Sequence, residues 1–287
     1  MSASNTSVHD VLYQDLAGKN ALVTGASRGI GRAIAFELAL RGASVLGTCS
    51  APTSLHHLDE LARSVQSVYE SSPYTAPKII GLPADILLAD TPTRLVDAVE
   101  SEFGGKLHIM VNNAAYDEIR PVGQLDADYV GKILTGNIQT LVLSVELLFQ
   151  RGFFQPNSRI VNVSSEMTRG FLPNSFCLRS GFVVFAATKS AIESLTRSWA
   201  DVFGKHPSMP GTTVNALVVG PTDTDALRGE IGSNNEVIDH MISRTPIGPR
   251  LGTPEDIANI TGLLVSEKAG WITGSAVAAN GGSAKIL

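Results

Sequence analysis

Short apolar runs alternate along the chain with longer stretches whose apolar residues recur at helical spacing. Asn20–Gly25 (NALVTG) reads as a buried strand entering a glycine turn. Ile30, Ile34 and Leu38 then predict a helix over Ile30–Arg41, with Gly42 as its stop. Further strands are predicted at Ala43–Thr48, Lys78–Ala84, Leu107–Asn112, Arg159–Ser164, Thr213–Val219 and Ser275–Ala279. Further helices are predicted at Leu55–Tyr69, Pro92–Phe103, Asp126–Arg151, Ala186–Phe203 and Pro254–Val265.

Parallel strands need long crossovers, usually helices, so this alternation implies an α/β fold. The expected architecture is a Rossmann-type, doubly wound parallel sheet of about seven strands. No linker or composition shift divides the chain, which predicts a single domain over residues 19–287 behind a loosely held polar arm, residues 1–18. Ser71–Pro77, Glu166–Val184 and Gly204–Gly211 read as insertions. A long loop inside a compact domain is usually functional.

Composition narrows the function classes. With 44% hydrophobic and 17% charged residues the chain can build a large core, which excludes disorder for most of its length. The net charge is −5 and no Lys/Arg run is present, so no nucleic-acid partner is expected. The longest apolar run, Leu141–Phe149, is broken by Ser144 and Glu146 and is too short to span a bilayer, so no membrane partner is expected. The N-terminus lacks a basic region followed by an apolar run, and Cys49 and Cys177 are the only cysteines. A cytoplasmic protein without a disulfide framework is the expectation. The histidines form no H-x-x-x-H or Cys/His cluster, and adjacent His56 and His57 are expected on different helix faces, so no metal is expected.

The strongest chemical signal is Thr24–Gly31, TGASRGIG, between a predicted strand and helix. Gly25, Gly29 and Gly31 allow a tight turn and let a pyrophosphate approach the helix N-terminus, where free N–H groups and the helix dipole favour an anion. NAD-specific sites place an acid about 20 residues after this turn, on the ribose 2′-hydroxyl. No acid lies between Glu37 and Asp59, and the second strand ends Thr48-Cys49-Ser50. Arg28 inside the turn can pair with a 2′-phosphate and Ser50 can add a hydrogen bond, which favours NADP(H).

Over about residues 17–283 the chain resembles the short-chain dehydrogenase/reductase family, in particular its 3-oxoacyl-reductase-like branch. TGASRGIG fits the family's T-G-x-x-x-G-x-G. The resemblance implies cofactor contacts from Gly25, Ser27, Arg28, Gly29, Ile30 and Gly31 of the turn and from Ser50. Asp85 fits the position that bonds the adenine, with Ile86 beside it, and Asn112-Asn113-Ala114 fits the N-N-A that stabilises the sheet. Asn137 fits the helix asparagine that supports a relay water. VNVSS, residues 161–165, fits the strand that ends in the catalytic serine, placed at Ser165 with Ser164 as the alternative. Lys189 fits the active-site lysine on the nicotinamide ribose. Asn215 and Gly220–Thr224, with Gly220, Thr222 and Thr224 as contacts, fit the loop that holds the nicotinamide amide. The resemblance also implies a small-molecule substrate and a homo-oligomer, tetramer or dimer, joined through the long helices and the last strand.

The family's Tyr-x-x-x-Lys is here Phe185-Ala186-Ala187-Thr188-Lys189. No tyrosine follows Tyr129, so no shift of register restores the hydroxyl. Ketone reduction puts a hydride on carbon and a proton on oxygen, and phenylalanine has no proton to give. A positioned general acid is worth about 10²–10⁴-fold, roughly 3–5 kcal/mol. The leading expectation is an NADP(H)-dependent ketoreductase of a mainly apolar ketone or alcohol, impaired or substrate-trapping because of Phe185. The alternatives are a non-redox enzyme on the same fold (cyclase, isomerase or dehydratase) and a dinucleotide-binding pseudoenzyme. Tyr116 and Glu166 are candidate replacement acids, though a wall residue and a loop carboxylate are the plainer readings; Tyr129 and Trp199 read as packing. N-N-A-G becomes Asn112-Asn113-Ala114-Ala115, and the usual Pro-Gly after the sixth strand becomes Val219-Gly220. The loop before Phe185 is longer than the family's and carries Phe171, Leu172, Phe176, Phe182 and Val183, which suits a bulky apolar substrate.

Overall fold

The computed structural model describes residues 13–169, 181–231 and 235–285. Its strands are β1 (Asn20–Val23), β2 (Ser44–Cys49), β3 (Ile79–Pro83), β4 (Leu107–Asn112), β5 (Phe154–Ser165), β6 (Thr213–Val219) and β7 (Ala276–Ala279). All pair in parallel, in the order β3-β2-β1-β4-β5-β6-β7. Strand order reverses between β1 and β4. In sheets of this kind that switch point opens a crevice at the strands' C-terminal ends, the usual ligand site.

Helices cover both faces. On one lie α1 (Gly29–Leu40), α2 (Leu55–Tyr69) and α9 (Pro254–Val265). On the other lie α3 (Thr91–Phe103), α5 (Thr140–Gln150) and α6 (Val183–Gly204). Side chains alternate across a strand, so Ala21 and Val23 join the first core while Leu22 between them joins the second. Both layers exclude water from the sheet, which is why the strands read as continuous apolar runs.

The structure departs from the periodicity in several places. Strand β5 starts at Phe154, not Arg159, because Pro156 and Asn157, the latter at φ 60°, interrupt the alternation. The helix expected over Asp126–Arg151 is α4 (Ala127–Leu134), a π turn at Thr135–Gln139, and α5. Helix α6 begins at Val183, which puts Phe185 and Lys189 on one helix, a turn apart. Two short helices were not predicted, α7 (Asp225–Ile231) and α8 (Asn235–Ser243). Val237 and Met241 alone are buried in their small cluster with Leu227, Ile238 and Leu251, too little apolar repeat to register as a helix.

Taken as one helical stretch, Ala127–Gln150 is longer than the run Leu141–Phe149 and is long and apolar enough to cross a membrane by length and composition. Here it packs on the sheet, and Asn137, Thr140 and Ser144 are among its buried residues. The end of the N-terminal arm, from residue 13, packs on the domain. Leu16 is buried and Asp15 forms an ion pair with Arg41 at the end of α1, at 2.5 Å. The rest of the arm, residues 1–12, lies outside the described residues, as do Phe171, Leu172, Phe176 and Cys177.

Candidate active site

The turn between β1 and α1 is built for close backbone approach. Gly25 and Gly29 have φ of 69° and 54°, a region that excludes most side chains. A Cβ on Gly31 would lie 2.2 Å from the Gly25 carbonyl oxygen and 2.5 Å from Asn113 Nδ2. Thr48 Oγ1 at the end of β2 accepts from the Gly25 N–H at 3.0 Å. Thr24 Oγ1 accepts from the N–H groups of Asn113 and Ala114 at 2.9 and 3.0 Å. Asn113 Nδ2 donates back to the carbonyls of Thr24 and Gly25, at 3.0 and 3.2 Å. The turn is therefore locked to the end of β4. No acidic side chain sits in the first turn of α1. Its open N–H groups and positive dipole end make an anion cradle.

A cavity of about 590 Å³ extends from this turn across the crevice, within the range of small-molecule sites. Gly25, Ser27, Arg28, Gly29, Ile30, Gly31 and Ser50 line one end, followed by Asp85, Ile86, Asn113 and Ala114. Ser165, Phe185, Lys189, Gly220, Thr222 and Thr224 line it too. Arg28 is exposed at the mouth and forms no ion pair among the described residues.

Lys189 is buried, and its Nζ donates to the Val163 carbonyl at 2.8 Å. Nζ also lies 5.4 Å from the centre of the Phe185 ring. Burial pulls its pKa down to about 8, and the negative charge of Asp117 acts in the opposite sense. Ser165, two residues after Val163, is partly exposed to the cavity, and its Oγ accepts from the Met167 N–H at 3.3 Å. Ser164 is different. It borders the cavity, but its Oγ is buried and donates to Glu193 at 2.7 Å. Burial tends to raise the Glu193 carboxyl, but hydrogen bonds from Arg169, Ser164 and Thr168 hold it below the ordinary carboxylate range.

Two expected site residues stand elsewhere. Asn137 does not line the cavity. It is buried in the π turn, where Oδ1 accepts from the Tyr116 N–H at 2.7 Å and Nδ2 donates to the Tyr116 carbonyl and to Thr188 Oγ1 at 3.1 and 3.2 Å. Asn215 is also buried. It ties β6 to the chain entering β7 through the Ile272 carbonyl and the Ser275 N–H, so its side chain is a sheet tie and no nicotinamide contact.

The two candidate replacement acids are both engaged. The Tyr116 hydroxyl donates to the Glu118 carboxylate, a bond that pushes its pKa up to about 12. Glu166 accepts from Asn280 Nδ2 at 3.2 Å and from Ser283 Oγ, which fastens the C-terminal segment beside Ser165. Sequence reading gave no role to Thr48, Asp117, or His240 and Met241 of α8, which line the cavity, nor to the Thr24 hydroxyl that braces the turn. Threonines at the C-terminal ends of the neighbouring strands β1 and β2 were the available signal for Thr24 and Thr48. Tyr129 is fully buried, and Trp199 stacks on Phe203 with ring centres 6.4 Å apart.

His56 and His57 do not point apart. Their ring centres are 3.8 Å apart, and with Glu60 they bring three potential ligand atoms within 4.8 Å. This group lies in the first two turns of α2, outside the cavity, where the positive end of the helix dipole disfavours a cation.

Comparison with known proteins agrees with the geometry. The family model described as enoyl-(acyl carrier protein) reductase matches residues 25–284. The short-chain dehydrogenase/reductase FrzI of Cladobotryum sp is 36% identical over 271 residues, 93% of this chain and 96% of FrzI. The 3-oxoacyl-[acyl-carrier-protein] reductase FabG of Pseudomonas aeruginosa is 32% identical over 269 residues, 93% of this chain and 98% of FabG. The crystal structure of a short-chain dehydrogenase from Burkholderia cenocepacia in complex with NADP superposes with a TM-score of 0.79 at 28% identity, covering 94% of this chain and 99% of that one. Sequence, sheet order and the cradle beside β1 agree, and the chain belongs to the short-chain dehydrogenase/reductase family of oxidoreductases.

Proposed function

We propose that this protein is an NADP(H)-dependent ketoreductase of a mainly apolar ketone, slowed by the missing hydroxyl at Phe185. The observation that carries the reading is one cavity lined by the anion cradle, Ser165 and Lys189, with Phe185 a helical turn from Lys189. NADP(H) fits the cradle: no Cβ crowds the turn, α1 brings no acid to it, and Arg28 stands exposed where a 2′-phosphate would need a cation. The cofactor of the Burkholderia relative is the same nucleotide. When bound, it would supply the hydride.

In this reading the turn residues hold the pyrophosphate, with Asp85 and Ile86 beside the adenine and Gly220, Thr222 and Thr224 beside the nicotinamide. Ser165 Oγ orients the substrate carbonyl, a role its partial exposure suits and the buried, bonded Ser164 does not. Lys189 presents its charge to the ribose and the reacting oxygen. Asn137 is a positioning residue that joins the Tyr116 segment to Thr188, next to Lys189. Phe182, Met167 and Met241 give the substrate end an apolar wall.

The test is NADPH oxidation with a panel of apolar ketones, in this chain and in Phe185→Tyr. The restored acid should raise kcat by about 10²–10⁴-fold. Equal silence in both, with NADPH bound, refutes the ketoreductase reading and turns attention to cyclisation, isomerisation or binding. We also propose self-association as a tetramer or dimer, supported by the exposed Leu134 and Leu143 on the helical stretch from α4 to α5. Light scattering on the purified protein checks it.

A further inference from the structure

The structure assigns the proton donor of this chain to Lys189 itself. The inference rests on the ketoreductase reading above and deepens it. A reduction still needs a proton for the substrate oxygen, and Phe185 cannot give one. Tyr116 is a poor source, because losing its proton would set a phenolate against the Glu118 carboxylate it now donates to. Glu166 is turned to the C-terminal segment by Ser283 and Asn280.

Lys189 has what these lack. An ammonium carries three N–H donors, and among the described residues Nζ has one hydrogen-bond acceptor, the Val163 carbonyl. That bond ties the amine to β5 two residues before Ser165. The aromatic face of Phe185 stabilises the charge but accepts no proton. The surrounding charges leave the amine available. Asp117, on the β4–α4 connection, acts on it as a negative charge. Glu193, one turn along α6, is held by Arg169, Ser164 and Thr168. Burial brings the amine toward neutrality, where a general acid is most effective.

The step balances as follows. The carbonyl carbon gains a hydride, the two electrons coming from NADPH, and the carbonyl π pair moves to oxygen. A Lys189 N–H bond breaks, its pair stays on Nζ, and the O–H bond forms. Solvent returns the proton to the amine.

The experiment measures NADPH oxidation, including single turnover, against pH, with Lys189→Arg in the present chain and in Phe185→Tyr. Arginine keeps the charge but does not give up its proton. In the present chain the rate should fall as pH rises through about 8, and Lys189→Arg should cost at least about 10²-fold. In Phe185→Tyr the same exchange should cost about tenfold or less, because the phenol is then the acid. NADPH fluorescence verifies that each variant binds cofactor. Independently of turnover, the Lys189 side-chain carbon in ¹³C-lysine protein without cofactor should titrate near 8. Equal losses in both backgrounds would make Lys189 a positioning residue and overturn the assignment. So would an active Phe185→Tyr beside a parent with no single turnover, or a pH profile abolished by His240→Asn. Silence of Phe185→Tyr as well would instead refute the ketoreductase reading.

Discussion

Replacing Lys189 by methionine should raise the stability of the protein at pH 7 while removing its chemistry. The lysine is 4% exposed, and burial lowers its pKa from the ordinary 10.5 to about 8. At 1.36 kcal/mol per unit, holding the charged form inside the fold costs about 3 kcal/mol. Below pH 8 the amine is protonated in both folded and unfolded chains, so the whole cost is present. Between about 8 and 10.5 the unfolded chain binds more protons, and stability from this group rises with pH. Above that range both states are neutral and the cost is gone. Methionine has similar length and no charge, but it forfeits the bond to the Val163 carbonyl, worth about 1–2 kcal/mol. The variant should therefore be about 1–2 kcal/mol more stable than the parent at pH 7. At pH 9.5 that advantage should have vanished or reversed. Urea unfolding of both proteins at the two pH values measures the difference, and the pairing cancels all other titrations. A parent-minus-variant difference that does not change with pH would show that the amine is not desolvated as its burial requires.

Three further outcomes are expected. Gly31→Ala places a methyl 2.2 Å from the Gly25 carbonyl oxygen and forces the turn apart. It should cost about 1–3 kcal/mol in urea unfolding and at least about tenfold in NADPH affinity by fluorescence titration. Arg28→Ala removes the exposed cation at the cavity mouth. It should weaken NADPH by about 10–10²-fold and leave NADH nearly unchanged in the same titration, the worth of one charge-assisted bond. Phe185→Tyr should raise kcat by about 10²–10⁴-fold with little change in NADPH affinity.

The parts of the fold that were legible in the sequence are those where one local rule acts without competition. Buried parallel strands must be apolar on both faces, so β1, β2, β4 and β6 stand out as runs. Glycine is compulsory at Gly31, where no Cβ fits, and favoured at Gly25 and Gly29, where φ is positive, so the cradle is visible as a motif. The misses have the opposite character. The π turn that holds Asn137 reads as ordinary helix, because such a turn depends on what the helix packs against and not on its apolar spacing. Asn215 sits near the cofactor end in sequence, yet its side chain is spent on Ile272 and Ser275, almost 60 residues away. Adjacent residues on a helix lie about 100° apart, which suggested that His56 and His57 diverge. The rings meet nonetheless, with His56 Nδ1 2.8 Å from the Thr53 carbonyl.

The exchange at position 185 separates two contributions that a tyrosine would combine. A phenol beside a lysine both supplies a proton and helps hold the negative charge that develops on the substrate oxygen. Phe185 removes the phenol's part in the first and leaves the proton to Lys189. Of the second, the Lys189 charge and the Ser165 hydroxyl remain, aimed into the same cavity and kept there by the Val163 carbonyl and the start of the loop after β5. Preorganised charge of this kind is often the largest single part of catalysis, because it needs no reorganisation when the reaction occurs. The chain should therefore be slowed by the loss of the phenol and not silenced. Its remaining rate should depend on Lys189 more steeply than that of the restored tyrosine enzyme does. A residual rate that tracks NADPH binding and ignores Lys189 would mean that the cavity's field contributes nothing at the carbonyl oxygen, and that the site's geometry serves binding alone.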